Sequence, residues 1–223
     1  MNRGAILITL VFVLVAVAAL LFYIRHSVEP QEEQLPPVGQ NLFEQSVSTP
    51  EITFSYPKDF ALAVQEEQVL VSSYIPPCSE GFDYCLYYKG GAYEGTNFDS
   101  AGLRIQRRFD LNDEDACLTT PPEGYEKAEP VTRTSEGYAT SFFSGLGDAG
   151  AGHYAEEDLY RLSIGGTCYE FETRIGASQY ENYESGTIKE FTQSHRAVVE
   201  GALAGILENI TFTESKTKVE FPR

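Results

Sequence analysis

Two histidines, a glycine-rich run and four cysteines are the groups in this chain whose types could do chemistry, and their spacing decides which chemistry is open to them. Gly145-Leu-Gly147-Asp-Ala-Gly150 satisfies G-x-G-x-x-G, which cradles a pyrophosphate when it follows a strand and opens a helix. The residues after it, Ala151 to Arg161, read as extended, so the glycines are expected to serve a strand connection. His153 is placed in that loop, and His195 falls within the apolar stripe of the last predicted helix, four residues after Phe191. A hydrolase built on either would need a nucleophile hydrogen-bonded to the histidine and an acid orienting it, and no G-x-S-x-G elbow marks a serine. The chain is therefore expected not to be an enzyme. An envelope hydrolase using His153 or His195 is the alternative.

Cys78-x6-Cys85 is too wide for the C-x2-4-C of a zinc knuckle, and neither a C-x2-C nor an H-x3-5-H pair accompanies it. Asp110-Leu-Asn112-Asp-Glu114 alternates like a calcium loop, but the sixth position, which needs glycine, is Asp115. No metal and no cofactor are expected. An even cysteine count in an exported domain reads as disulfides. The expected pairs are Cys78 with Cys85, whose short intervening loop can turn back on itself, and Cys117 with Cys168. Loop closure assigns about 2.5 kcal/mol to the first pair and about 4 kcal/mol to the second.

Recognition is expected between Phe82 and Phe98, which concentrates Phe82, Tyr84, Tyr87, Tyr88, Tyr93 and Phe98 around Lys89-Gly-Gly91-Ala. Tyrosine buries apolar area while its hydroxyl tolerates water. Strand positions also favour Tyr and Phe for packing alone. If Tyr84 and Leu86 face a core, Tyr87 points the other way, and Tyr87, Tyr88 and Tyr93 are the candidate ligand-binding residues, with Tyr87 and Tyr93 exposed.

The elements that must carry these groups begin with a membrane span. Gly4 to Ile24 is an apolar run of 21 residues interrupted only by Thr9. As a helix it reaches about 31 Å, against a hydrocarbon core of about 30 Å. A cleaved signal peptide is the competing reading, since Ala16, Ala18 and Ala19 resemble a cleavage site, but Leu20 to Ile24 continue the run beyond them. Arg3 on one flank and Arg25 with His26 on the other nearly cancel the positive-inside bias, so the cysteines decide the topology: N-terminus cytoplasmic, C-terminal domain outside. The 197 residues after His26 hold 14 basic and 33 acidic residues, a net charge of −19, which excludes nucleic-acid binding and repels anionic headgroups. Residues 1–26 thus read as a single-pass anchor, 27–50 as an acidic, Pro- and Gln-rich linker, and 51–223 as one exported globular domain.

Within that domain Glu51–Tyr56, Phe60–Val64, Gln68–Tyr74, Tyr84–Tyr88, Leu103–Phe109, Ala128–Thr134, Tyr138–Ser144, His153–Ile164 and Cys168–Ile175 read as strands. Short connections make the sheet mainly antiparallel. A short helix is predicted near Asn112, with Asp113 to Asp115 at its start. A long one is predicted from Thr187, where Thr187-x-x-Glu190 forms a capping box, with Ile188, Phe191, Val198, Ala202 and Ile206 on its apolar stripe. Asn209 ends it, and Ile210 to Thr213 resumes strand alternation. The fold class is α+β. Phe54-Ser-Tyr56-Pro57-Lys-Asp59-Phe60 before a hairpin, with a terminal helix running into Ile206-Leu-Glu-Asn-Ile210-Thr-Phe212, resembles the PsbP/Mog1-like domains at the two ends of the region. That resemblance implies an α/β/α sandwich about an antiparallel sheet, in a group largely of binding and assembly modules, and supplies no catalytic residue. The expected function is a membrane-anchored binding or assembly module for an envelope protein or ligand.

Overall fold

A strand whose alternate residues are apolar must bury one face, and the pairing of ten-residue and longer strands in this chain follows from that demand. The computed structural model describes residues 43–64, 83–135, 138–213, 217–218 and 221. In chain order the strands are β1 (Gln45–Ser48), β2 (Ile52–Tyr56), β3 (Phe60–Val64), β4 (Tyr84–Tyr88), β5 (Phe98–Arg107), β6 (Val131–Ser135), β7 (Tyr138–Gly150), β8 (His153–Ile164), β9 (Thr167–Ser178), β10 (Thr211–Phe212) and β11 (Thr217–Lys218). Helix α1 (Glu114–Thr119) lies between β5 and β6, and α2 (Gln193–Glu208) lies between β9 and β10. A seven-stranded sheet runs β3-β4-β5-β9-β8-β7-β6 and a four-stranded one β1-β2-β10-β11. Every pair of strands in them is antiparallel. Tight turns with positive φ at both central residues, Ala151-Gly152 and Gly165-Gly166, join β7 to β8 and β8 to β9, matching the twist of the strands they connect.

One face of the large sheet carries Leu86, Leu103, Ile105, Leu162, Phe171 and Ile175, all buried. Against it pack Val199, Ala202, Leu203, Ile206 and Leu207 of α2, with Ile52, Phe54 and Phe212 of the small sheet. The opposite face meets α1, tied down by the Cys117–Cys168 disulfide. Arg161, fully buried on that face, donates to the carbonyls of Cys117 and Thr120 at the end of α1, and its Nε lies 2.7 Å from Glu170. A buried guanidinium thus satisfies helix-end carbonyls that would otherwise be orphaned.

Several expectations are corrected. Gln45–Ser48, within the predicted linker, is a strand registered against β2 from Gln45↔Tyr56 to Ser48↔Thr53, because Val47 packs on the core. The long helix starts six residues later than Thr187: Thr192 is its cap and accepts from the His195 N–H at 3.4 Å. Phe191 precedes the helix, and its backbone N–H donates to the buried Asn97 side chain at 2.6 Å, a tertiary bond that no local capping pattern reveals. Val199, not Val198, lies on the buried stripe, as that shift in phase requires. The strand predicted to reach Phe109 stops at Arg107, leaving Phe109 exposed, and β6 is Val131–Ser135 rather than Ala128–Thr134. Residues 145–150 belong to β7 and not to a loop. The anchor, the strand expected at 68–74 and Cys78 lie outside the described residues, among which no helix is long and apolar enough to cross a membrane. Cys85 is itself in a disulfide.

Candidate functional site

The tyrosines expected at a recognition surface are placed by alternation and by one turn. On β4, Tyr84, Leu86 and Tyr88 point to the core, while Cys85 and Tyr87 point to the other face, where Tyr87 is half-buried against Ala63 and Cys85. The turn after β4 folds back over the sheet, so Tyr93, 3% exposed, fills the space between Tyr88, Phe98 and Phe191 at ring separations of 5.6, 5.2 and 5.1 Å. Burial pushes the Tyr93 hydroxyl up to about 12, with Tyr88 and Asp59 adding to it. Tyr88 and Tyr93 are therefore core residues, and the expectation of an exposed Tyr93 is overturned. Edge-to-face aromatic packing claims their area before a ligand can.

The histidines have structural roles. His153 is the first residue of β8, not a loop residue, and its Nδ1 lies 2.8 Å from Asp99 Oδ2. Ser178, directly opposite His153 in the β8–β9 register, has its Oγ 3.2 Å from the Asn97 carbonyl and 2.8 Å from the Tyr183 hydroxyl. That serine links the end of β9 to the residue before β5. His195 is buried, and its Nδ1 accepts from the Thr192 N–H at 3.1 Å, closing the capping box of α2 against the Phe191 ring.

What the sequence did not reveal is a cleft of about 410 Å³ between α2 and the β7–β8–β9 strands. Its helix side is Glu200, Leu203, Ala204 and Leu207, the i, i+3, i+4, i+7 positions of one α2 stripe. Its sheet side is Gly145 and Leu146 of β7, Glu156 to Asp158 with Tyr160 of β8, and Thr173 and Ile175 of β9. β7 is irregular where Gly145 and Leu146 line the cleft. Ser144 and Gly145 break the β7–β8 register between Phe143 and Leu146. A side chain at Gly147 would collide with the Ala155 carbonyl, and its φ of 143° is one that L residues rarely adopt. The glycine run lies within β7 and opens no helix.

Electrostatics divides the cleft into a paired end and an unpaired middle. At one end Arg196 is buried, with Nη1 2.8 Å from Glu156 Oε2, Nη2 3.2 Å from the Tyr154 hydroxyl, and its guanidinium over the Tyr154 and Phe191 rings. In the middle, Asp158 is held above the usual carboxylate range by burial, then by the like charges of Glu200 and Glu156. At the far end Tyr160 stacks on Phe142 with centroids 4.8 Å apart. Through the sheet, Glu157 belongs to a buried ion ladder on the opposite face: Glu157 pairs with Arg174, Arg174 with Glu172 at 3.0 Å, and Glu172 with Arg104. Burial first, and then Glu172, push Glu157 up to about 7. The sequence carried one signal of all this, the run Glu156-Glu157-Asp158, which puts acids on both faces of a buried strand.

No family model matches the chain, and no curated protein matches it. Among solved structures, LpqN of Mycobacterium tuberculosis, described as involved in cell envelope biogenesis, aligns with 76% of this chain and 90% of its own at 14% identity and a TM-score of 0.38. An overlap of that extent transfers neither activity nor ligand.

Proposed function

We propose that this chain is a membrane-anchored extracytoplasmic binding module that holds a small ligand in the cleft between α2 and β8 and catalyses no reaction. The observation that carries the reading is the cleft itself: about 410 Å³ falls within the range of small-molecule sites, with Tyr160 and Ala204 in its lining beside Glu156, Asp158 and Glu200. The Cys117–Cys168 disulfide fits an oxidising compartment, and the apolar run Gly4 to Ile24 fits a tether. A PsbP/Mog1-like relationship accords with helices on both faces of an antiparallel sheet. Against catalysis stands the employment of both histidines, His195 in a helix cap and His153 beside Asp99, with the facing serine bonded elsewhere.

Native mass spectrometry of the full chain extracted from its own membranes tests this. Ala204 is small, half-buried and in the cleft lining, so Ala204→Trp should fill the space. The expected result is a bound small molecule on the wild type that is lost in Ala204→Trp, while thermal unfolding shifts by no more than a few degrees. Equal occupancy in both proteins would place the site elsewhere.

A further inference from the structure

We propose that the C-terminal segment from β11 through Phe221 is a displaceable strap over a peptide-docking groove, which accepts in its place an extended, basic segment of a partner protein bearing an aromatic residue. The groove has two parts. One is the outer edge of β10, where Thr211 and Phe212 pair with Lys218 and Thr217 of β11. The other is an aromatic floor on the large sheet, where the Phe221 ring stands edge-on to Tyr160 and Phe171 at centroid separations of 5.5 and 5.1 Å. A sheet edge takes up an extended peptide in this way, with backbone pairing giving affinity and a seated side chain giving specificity. Here the chain supplies that peptide itself. The hold is short, two residue pairs and one half-buried ring, whereas β8 and β9 pair along their whole length. A segment tied by so few contacts opens well before the domain unfolds. What it covers is costly to leave bare: Phe171, in contact with Phe221, is fully buried, and β10 without β11 is an edge strand. Charge selects the occupant. Residues 216–223 hold three of the 16 basic residues and one of the 33 acidic ones, a basic segment on an acidic domain. A partner segment of the same chemistry meets the same floor in the same field. Tyr160 borders both groove and cleft, but occupancy of the groove requires no ligand in the cleft.

Fluorescence anisotropy with a labelled peptide of residues 216–223, added to the full chain in lipid nanodiscs, tests the strap. The wild type, whose groove is filled from within, should bind the peptide weakly. Phe221→Ala loosens the strap and should bind it more tightly by roughly tenfold, the effect of freeing the seat of one aromatic side chain. Phe221→Leu, which keeps an apolar cover, should show a smaller gain in the same direction. A peptide with alanine in place of its phenylalanine should lose the gain, and one with glutamate in place of both lysines should lose most of it. Equal binding by the wild type and both variants would overturn the strap. Loss of the folded domain in both variants would make Phe221 part of the core and overturn it likewise. Indifference to the phenylalanine of the peptide would overturn the aromatic seat, and indifference to its lysines would overturn the basic assignment.

Discussion

Replacing Arg174 by methionine is expected to lower the unfolding free energy by about 3–5 kcal/mol at pH 8, the cost of leaving buried charge without its partner. Arg174 is 8% exposed, and the carboxylates it serves, Glu157 and Glu172, are 4% and 6% exposed. The register places it opposite Glu157 across β8–β9, beside the Arg104↔Glu172 pair of β5–β9, so one substitution strands two carboxylates on a single remaining guanidinium. The loss should shrink on acidification. In the wild type the folded-state pKa of Glu157, about 7, lies above its ordinary value of 4.5, so the folded state binds more protons between those two limits. Stability attached to this group is therefore fully present below about pH 4.5 and falls as pH rises through about 7. Without Arg174 the same carboxyl protonates more readily still. Urea unfolding at pH 8 and pH 5 checks both statements, and adding Glu157→Leu to Arg174→Met should restore part of the loss. A loss under 1 kcal/mol at pH 8 would show that water reaches the ladder.

Removing the Cys117–Cys168 bond by double replacement with serine is expected to cost about 4 kcal/mol, from the closure entropy of a loop of 51 residues. Against a total stability of typically 5–15 kcal/mol that is a large fraction. A local contribution in the folded state adds to it. Both sulfurs are buried with Leu111, and the bond fixes α1 at the place where Arg161 caps its carbonyls, so loss of the staple also frays that capping. Guanidinium unfolding of the double variant beside the wild type measures the difference. A change below 1 kcal/mol would mean that Arg161 and the packing of Leu111 hold α1 unaided.

Much of the fold was legible because strand alternation is a local signal. His153–Ile164 and Tyr84–Tyr88 were read to the residue, since each alternates between an apolar and a second face along its whole length. The Cys117–Cys168 pair was also legible, as was the presence of α1, expected from near Asn112 and found from Glu114, with the Asp113 carboxylate as its cap accepting from the Ala116 N–H at 2.8 Å. The start of α2 was misread because Thr187-x-x-Glu190 matches a capping box as well as Thr192-x-x-His195 does, and Asn97, distant in sequence, decides between them. Tyr93 was misplaced because its fate depends on how a turn folds back, which periodicity does not encode. The cleft was illegible for a related reason. Its lining comes from three strands and one helix, and one of those strands carries, beside a register shift, a glycine run that reads in sequence as a nucleotide-binding motif. Acids on both faces of β8 hinted at it, yet only the register shows that Asp158 faces α2 and Glu157 faces Arg174.

Hydrogen–deuterium exchange of the stripped full chain, with and without re-addition of the small molecule that co-purifies from its own membranes, tests the placement of the ligand most directly. Protection should rise in β8 around residues 156–160 and in α2 around residues 200–207, with β4 and the turn through Tyr93 unchanged. Protection confined to residues 84–98, or an exchange pattern indifferent to re-addition, would contradict the assignment of the cleft as the binding site.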